Sequence, residues 1–254
     1  MQAMILAAGQ GSRLGDRRRR PKCMRQVGGM PLVHHQLGAL AAAGVDDVVI
    51  VVGFEQDQIR GAVGTRACFV VNDRFVETNS MYSFLLGHAL IEDDVIVMNS
   101  DVFCHPALLG MLADLEKDAI LYDSGSGDDP EQMKVCAASG QLVGMSKDMP
   151  PELVAGENLG VLRLSRGCAA EVAAVAREMV AAGQEQRWLA SALNHVARRR
   201  RIACVDVAGW PWVEIDFPTD LDRARSEIFP AIGGALSHLR SDYPDVASSL
   251  GSAS

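Results

Sequence analysis

Short unbroken apolar runs separated by amphipathic stretches set the rhythm of the first half of the chain. Residues 4–8, the valine-rich 47–53, 67–71 and 95–99 each have the length of a strand and an apolar character throughout, the pattern of strands buried on both faces of a parallel sheet. Between them, 32–43, 56–62 and 82–90 carry helical patterns. Such alternation demands crossover connections and predicts an α/β architecture, a mainly parallel sheet flanked by helices.

Beyond residue 101 the rhythm changes. Residues 119–122, 133–137 and 141–146 have strand character, but turn-rich 124–130 and Ser139-Gly140 separate them, which predicts a small antiparallel β addition within about 119–165. A further strand is expected at 158–164, helices at 168–182 and 186–198, strands at 202–207 and 213–216, and helices at 220–228 and 231–240. This pattern describes one domain over 1–228, a C-terminal helix within 229–246 and a small-residue tail, 247–254, expected to be disordered.

The formal net charge of −8 argues against a nucleic-acid surface, so an anionic nucleotide would have to meet locally concentrated cations. The arginine runs 17–20 and 198–201 are such concentrations, the second more simply a solvated helix end. Six cysteines, Cys23, Cys68, Cys104, Cys136, Cys168 and Cys204, include no C-x-x-C pair, and neither a secretory leader nor a membrane-length apolar run is visible. Reduced thiols in a cytoplasmic protein without a membrane partner are therefore expected. The histidines make no zinc pattern, and the adjacent His34 and His35 would diverge on a helix.

Candidate chemistry begins where the first strand ends. In Leu6-Ala7-Ala8-Gly9-Gln10-Gly11-Ser12-Arg13-Leu14, the glycines allow close backbone approach, so that successive N–H groups can point at phosphate oxygens. Arg13 can fork onto a phosphate, and Lys22, stiffened by Pro21, supplies a compact charge. Neither the Walker pattern nor the full dinucleotide fingerprint is present.

With Pro21-Lys22 following, the segment resembles the signature of the nucleotidyltransferases that join a nucleoside triphosphate to a phosphorylated small molecule and release pyrophosphate. The resemblance runs from residue 1 to about 225 and implies a Rossmann-like fold. It makes Leu6, Ala7, Ala8, Gly9, Gly11 and Ser12 nucleotide-binding and Arg13 and Lys22 the catalytic cations on the phosphates. It also implies Mg2+. Asp101 follows an apolar strand, where ligands bind in open sheets, and Asp216 sits in an Ile-Asp-x-Pro-x-Asp-Leu pattern near the family's end. Glu214 would face the same side of a strand as Asp216, and Asp220 reads as a helix cap.

Residues 72–84 resemble the corresponding region of phosphocholine cytidylyltransferases and their phosphonate-activating relatives, which favours CTP. Thr78, Asn79, Ser80 and Ser83 offer uncharged donors and acceptors for a pyrimidine edge, although capping of a helix accounts for at least one of them. For the acceptor, Lys134 and Lys147 are candidate phosphate or phosphonate ligands, with Glu157 and Asn158 for its head. Aromatics are few, Tyr82, Tyr122, Trp188, Trp210 and Trp212 being the candidates for a cage, so a phosphonate without a quaternary amine competes with phosphocholine. The expected activity is CTP-dependent cytidylyl transfer to a small phosphonate or phosphorylated alcohol. The alternatives are a hexose-1-phosphate nucleotidyltransferase using UTP, GTP or dTTP and a non-catalytic nucleotide-binding regulatory protein. A homodimer is compatible with each.

Overall fold

The structure is a computed structural model in which residues 1–14, 20–126 and 129–236 are described. In chain order its elements are β1 (Gln2–Ala7), β2 (Gln26–Val27), β3 (Met30–Pro31), α1 (Leu32–Ala42), β4 (Asp47–Val52), α2 (Gln56–Val63), β5 (Cys68–Val71) and α3 (Ser80–Gly87). There follow β6 (Val95–Asn99), β7 (Val102–Cys104), α4 (Ala107–Ala113), β8 (Ala119–Asp123), β9 (Lys134–Ala138), β10 (Gln141–Ser146) and β11 (Gly156–Leu164). The remainder is α5 (Arg166–Ala181), α6 (Leu189–Ala197), β12 (Ala203–Asp206), β13 (Trp212–Glu214), α7 (Pro218–Arg223) and α8 (Phe229–Leu236).

The opening apolar run sits in the middle of the parallel half of the sheet, where β1 is hydrogen-bonded to β4 on one side and β6 on the other. It is apolar throughout because both faces are covered. Ala3, Ile5 and Ala7 pack with α1, α2 and α4, whereas Met4 and Leu6 pack with α3, α5 and α6.

One sheet of nine strands, in the order β5-β4-β1-β6-β11-β8-β12-β10-β9, holds almost all the strand material. The antiparallel portion exceeds the hairpin expected from the turn-rich segment, because β11 enters antiparallel between β6 and β8. The β9–β10 hairpin is continuous with this sheet, β10 pairing with β12 and β9 with the start of β11.

Three elements have no counterpart in the sequence reading: the β2–β3 hairpin, α4, and β7, which pairs antiparallel with β13. The strands have two or three residues each, too few for periodicity, and α4 is apolar around most of its circumference. The break expected between 228 and 231 is also absent. From α7 the helix continues through a π turn, Ala224–Ile228, into α8, with the Phe229 N–H donating to the Ala224 carbonyl. This wide turn resets the hydrogen-bond register just ahead of Pro230, which has no N–H to give. Phe229 then lies on Gly28, where a Cβ would overlap its ring. The expectations for 237–254, and for the arginine run at 17–19, fall outside the described residues.

Candidate active site

A cavity of about 450 Å³ opens at the carboxyl ends of β1 and β6, within the range of small-molecule sites. Leu6, Ala7, Ala8 and Gly9 line it where β1 ends, with Gly11, Arg13 and Lys22 beside them. Gly11 has φ +60°, and a Cβ there would come within 2.6 Å of Lys22 Cγ, so this glycine is demanded by the lysine stem that crosses it. Ser12 opens the short 3-10 turn Ser12–Leu14.

The β7–β13 pair brings together two carboxylates that are 115 residues apart in sequence, Asp101 preceding one strand and Asp216 following the other. The Ile215 N–H donates to the Asp101 carbonyl at 3.0 Å, which continues the pairing between them. Lys22 Nζ donates to Asp101 Oδ2 at 2.8 Å and to Asp216 Oδ1. Arg13, half-exposed, reaches Asp216 Oδ2 at 3.5 Å and Glu131 at 3.0 Å and lies over the Phe217 ring. Burial alone would lower the Lys22 pKa, but the charges of Asp101 and Asp216, reinforced by hydrogen bonds, carry the net direction upward. Lys22 is a fixed cation, not a base.

Glu214 faces the same cavity. Burial, then the charges of Asp101 and Asp216, push its carboxyl up to about 8, with Lys22 opposing. Its Oε1 is 3.5 Å from the Asn99 carboxamide, and that carboxamide needs Gly160, where a Cβ would stand 2.6 Å from Asn99 Nδ2. Asp220 is the cap the sequence suggested, its Oδ2 accepting from the Asp216 and Phe217 amides and so fixing the backbone on which Asp216 stands.

The carboxylate pair fits a divalent ion. Asp101 Oδ1 is buried without a hydrogen-bond partner, and a buried carboxylate oxygen without one is costly unless a cation takes it. Among the described residues no group of three or more His, Cys, Asp or Glu could hold a metal by itself. A site of two carboxylates completed by substrate oxygens is the arrangement that Mg2+ commonly accepts.

The expected base-reading residues line the neighbouring wall but are also bonded to the protein. Asn79 caps α3, accepting from the Ser80 N–H, and Ser80 Oγ accepts from the Leu189 N–H, joining α3 to α6. Buried Asn72 organises the rest, giving Nδ2 to Thr78 Oγ1 at 3.0 Å and Ser83 Oγ at 3.1 Å. Thr78 passes its own proton to the Arg74 carbonyl, whereas Ser83, accepting from Asn72, keeps a hydroxyl proton to donate.

Of the four acceptor candidates, the structure brings Lys147 and Asn158 to the cavity and withdraws the other two. Lys134 and Glu157 are almost wholly buried and paired at 3.0 Å, and Lys134 also donates to the Asp129 carbonyl, whose own N–H reaches Glu157. They clamp the segment ahead of β9 and do not line the cavity. Their positions across the β9–β11 pairing, Glu157 opposite Lys134, explain why. Among the five aromatic candidates only Trp188 lines the cavity, with Lys147 Nζ 5.2 Å from its ring centre. Tyr82 stacks with Arg74, Trp210 with His105, and Trp212 is buried against Asp123. Glu131, which joins Arg13 to Lys147, and the apolar wall of Met145, Leu189 and Leu193 were missed. The helical residues of that wall look like any core-facing pair; they meet the cavity because of where α6 docks.

A sheet that ends in a glycine-lined cavity with paired cations and carboxylates defines a nucleotide-handling α/β protein. The chain belongs to the MobA-like NTP transferase family, whose domain matches residues 3–198. It is 40% identical over 119 residues, 44% of its length, to CMP-5'-(3-aminopropyl)phosphonate synthase of Streptomyces rubellomurinus. It is 37% identical over 108 residues, 41% of its length, to choline-phosphate cytidylyltransferase of Streptococcus pneumoniae. These matches cover 19% and 46% of the two relatives. The inositol-1-phosphate CTP transferase structure from T. maritima superimposes with a TM-score of 0.78 at 22% identity, covering 93% of this chain and 96% of that one, and so shares the fold.

Proposed function

We propose that the protein is a CTP-dependent cytidylyltransferase that joins CMP to a short-chain phosphonate or phosphate monoester and releases pyrophosphate. The observation that carries this reading is Lys22 held between Asp101 and Asp216 at the mouth of the Gly9–Gly11 loop. Gly9 adds support. A Cβ there would meet nothing within 4 Å and its φ is not positive, so the protein itself does not require glycine, whereas a phosphate lying against the backbone does.

Acceptor attack needs no general base, because a phosphate or phosphonate oxygen is already ionised near neutral pH. That oxygen forms a bond to the α-phosphorus while the bond to the β-phosphate oxygen breaks, and pyrophosphate leaves with the electron pair. Lys22 stabilises charge on the α-phosphate, and Arg13 with the loop amides holds the β- and γ-phosphates. Asp101 and Asp216 are the ligands for Mg2+, which when bound screens the repulsion between the two anions. Thr78, Asn79 and Ser83 surround the base, with the Ser83 hydroxyl as donor to a pyrimidine carbonyl. The preference for CTP draws on the streptomycete and pneumococcal relatives, a CMP-phosphonate synthase and a choline-phosphate cytidylyltransferase.

The acceptor wall favours a short, largely apolar body. Met133, Met145, Leu162, Trp188 and Leu193 line the cavity, and in this reading Lys147 takes the anion and Asn158 is a neutral hydrogen-bonding side chain. A hexose or inositol would leave several hydroxyls unpaired there, and a quaternary amine would lack a cage. The test is mass spectrometry and pyrophosphate release with Mg2+, each of CTP, UTP, GTP, ATP and dTTP, and a panel of aminoethylphosphonate, hydroxyethylphosphonate, phosphocholine, inositol-1-phosphate and glucose-1-phosphate. CMP-linked phosphonate is expected. Preferred use of UTP or dTTP with glucose-1-phosphate would replace this reading with the hexose one, and no product from any pair would leave a binding protein.

A further inference from the structure

We infer that Gln36, on α1 behind the cavity lining, is a positioning residue for the reaction centre, holding the turn that carries Asp101. Its Nε2 donates to the Asn99 carbonyl at 2.9 Å and to the Val102 carbonyl at 2.9 Å, the two residues that bracket Ser100 and Asp101. These distances fix the amide orientation, since an oxygen placed there would face two acceptors.

The main chain of the same turn is also anchored by two backbone bonds. The Ser100 N–H donates to the Leu6 carbonyl at 3.3 Å, and the Asp101 carbonyl accepts from Ile215. The turn is thus tied to the glycine-loop strand, to the Asp216 segment and, through Gln36, to the helix behind. Gln36 ties the main-chain carbonyls on both sides of the aspartate, whereas Lys22 and Glu214 engage the side chains of Asp101 and Asn99.

The surroundings show that Gln36 is not ordinary core. It is buried on α1 one turn from Leu32, Val33 and Leu40, beside buried His35, and its own Oε1 has no hydrogen-bond partner. A methionine would fill similar volume without an orphaned oxygen, and volume-conserving apolar exchanges are well tolerated. Retaining a carboxamide at that cost makes sense where its two donors hold something whose position matters. What they hold is the turn from which Asp101 meets Lys22. An error of an ångström in such a group is enough to cost ~10² in rate.

The kinetic part of the inference rests on the cytidylyltransferase reading; the structural part does not. The experiment compares wild type with Gln36→Met, which keeps the volume and removes both donors, and Gln36→Asn, which keeps the carboxamide but is one methylene shorter. Three quantities are read: kcat and KM for CTP, Mn2+ binding followed by electron paramagnetic resonance without substrate, and amide hydrogen exchange. For Gln36→Met, kcat should fall by about 10- to 100-fold with KM for CTP within about threefold. Mn2+ binding should weaken, and exchange should quicken in peptides covering 99–102 and 213–216 while the rest of the sheet keeps its protection. Gln36→Asn should move each quantity in the same direction by less, and it carries the test if the methionine variant does not fold. Unchanged exchange in those peptides with unchanged Mn2+ affinity would overturn the inference. So would a variant whose melting temperature falls while its kcat, measured below the transition, stays at the wild-type value. If wild type turns over no triphosphate, the cytidylyltransferase reading fails by itself, and exchange with Mn2+ binding still decides the role of Gln36.

Discussion

Lys22 and Lys134 are both withdrawn from solvent and both bonded to carboxylates, but their surroundings differ in kind. Around Lys134, the ammonium meets the Glu157 carboxylate and the Asp129 main-chain carbonyl, and Glu157 also accepts from the Asp129 N–H. Around Lys22, one ammonium faces Asp101 and Asp216 with Glu214 nearby, and Asp101 Oδ1 is left without a partner. The first arrangement holds a chain segment. The second gathers two aspartates on one ammonium, with half-exposed Arg13 3.5 Å from Asp216 as a further cation, and it lines a cavity. A buried carboxylate oxygen left without a partner beside a cavity is a place where a cationic ligand can add, so that oxygen separates these two lysines more clearly than burial does.

The sharpest way to break the contrast is at the lysines themselves. Lys22→Ala should lower kcat by about 10²- to 10³-fold, because it removes a preorganised charge at the reacting phosphate. Its melting temperature should rise on adding Mg2+ by more than that of wild type, since Asp101 and Asp216 lose the ammonium between them. Near-normal turnover would refute the role given to Lys22. Lys134→Met should instead destabilise the fold by about 3–5 kcal/mol, the cost of leaving Glu157 charged and buried, with turnover of the folded protein unchanged within a few-fold. Adding Glu157→Gln should restore most of that stability. If Lys134→Met altered acceptor KM and not stability, the pair would belong to the site after all.

A third cluster extends the comparison to pH. Asp118 accepts from the Ser165 N–H and from Arg200 Nε, which itself also pairs with Glu171. Burial would raise the Asp118 pKa, but the bonds from Ser165 and Arg200 outweigh it, and the net direction is down. A carboxyl whose folded pKa lies below its unfolded value stabilises fully above the unfolded value, about 3.9, and loses that contribution as pH falls through the folded one. Urea denaturation should show wild type more stable than Asp118→Asn by about 1.5–3 kcal/mol at neutral pH, the range for a hydrogen bond to a charged group. The gap should close on acidification. A gap independent of pH would mean that the carboxylate charge contributes nothing.

How much of this was legible in the sequence depended on scale. The alternating strands and helices, the glycine loop, Lys22, Asp101, Asp216 and the capping role of Asp220 each carry a local pattern. The fate of Lys134 and Glu157 does not, because it is set by the register of β9 against β11, which puts the two side chains opposite each other. Gln36 and Leu193 were equally silent, for each sits in a helical pattern that only docking gives a purpose. Local chemistry marked the residues, and long-range register decided which of them share a site.

The mildest test concerns the bridge that joins the two halves of the cavity. Glu131 accepts from Arg13 at 3.0 Å and lies 3.5 Å from Lys147, with roughly two-fifths of its side chain exposed. Exposed pairs of this kind contribute about 0–1 kcal/mol, so Glu131→Gln should leave the melting temperature nearly unchanged. Its carboxylate nonetheless competes with substrate phosphates for two cations. Glu131→Gln should therefore lower KM for CTP and for the acceptor by about two- to fivefold at low salt, an effect that fades above about 0.3 M as screening weakens the pairs. A rise in both KM values would mean that Glu131 helps to hold the substrates, and the bridge would then join the catalytic side of the contrast instead of standing between its two cations.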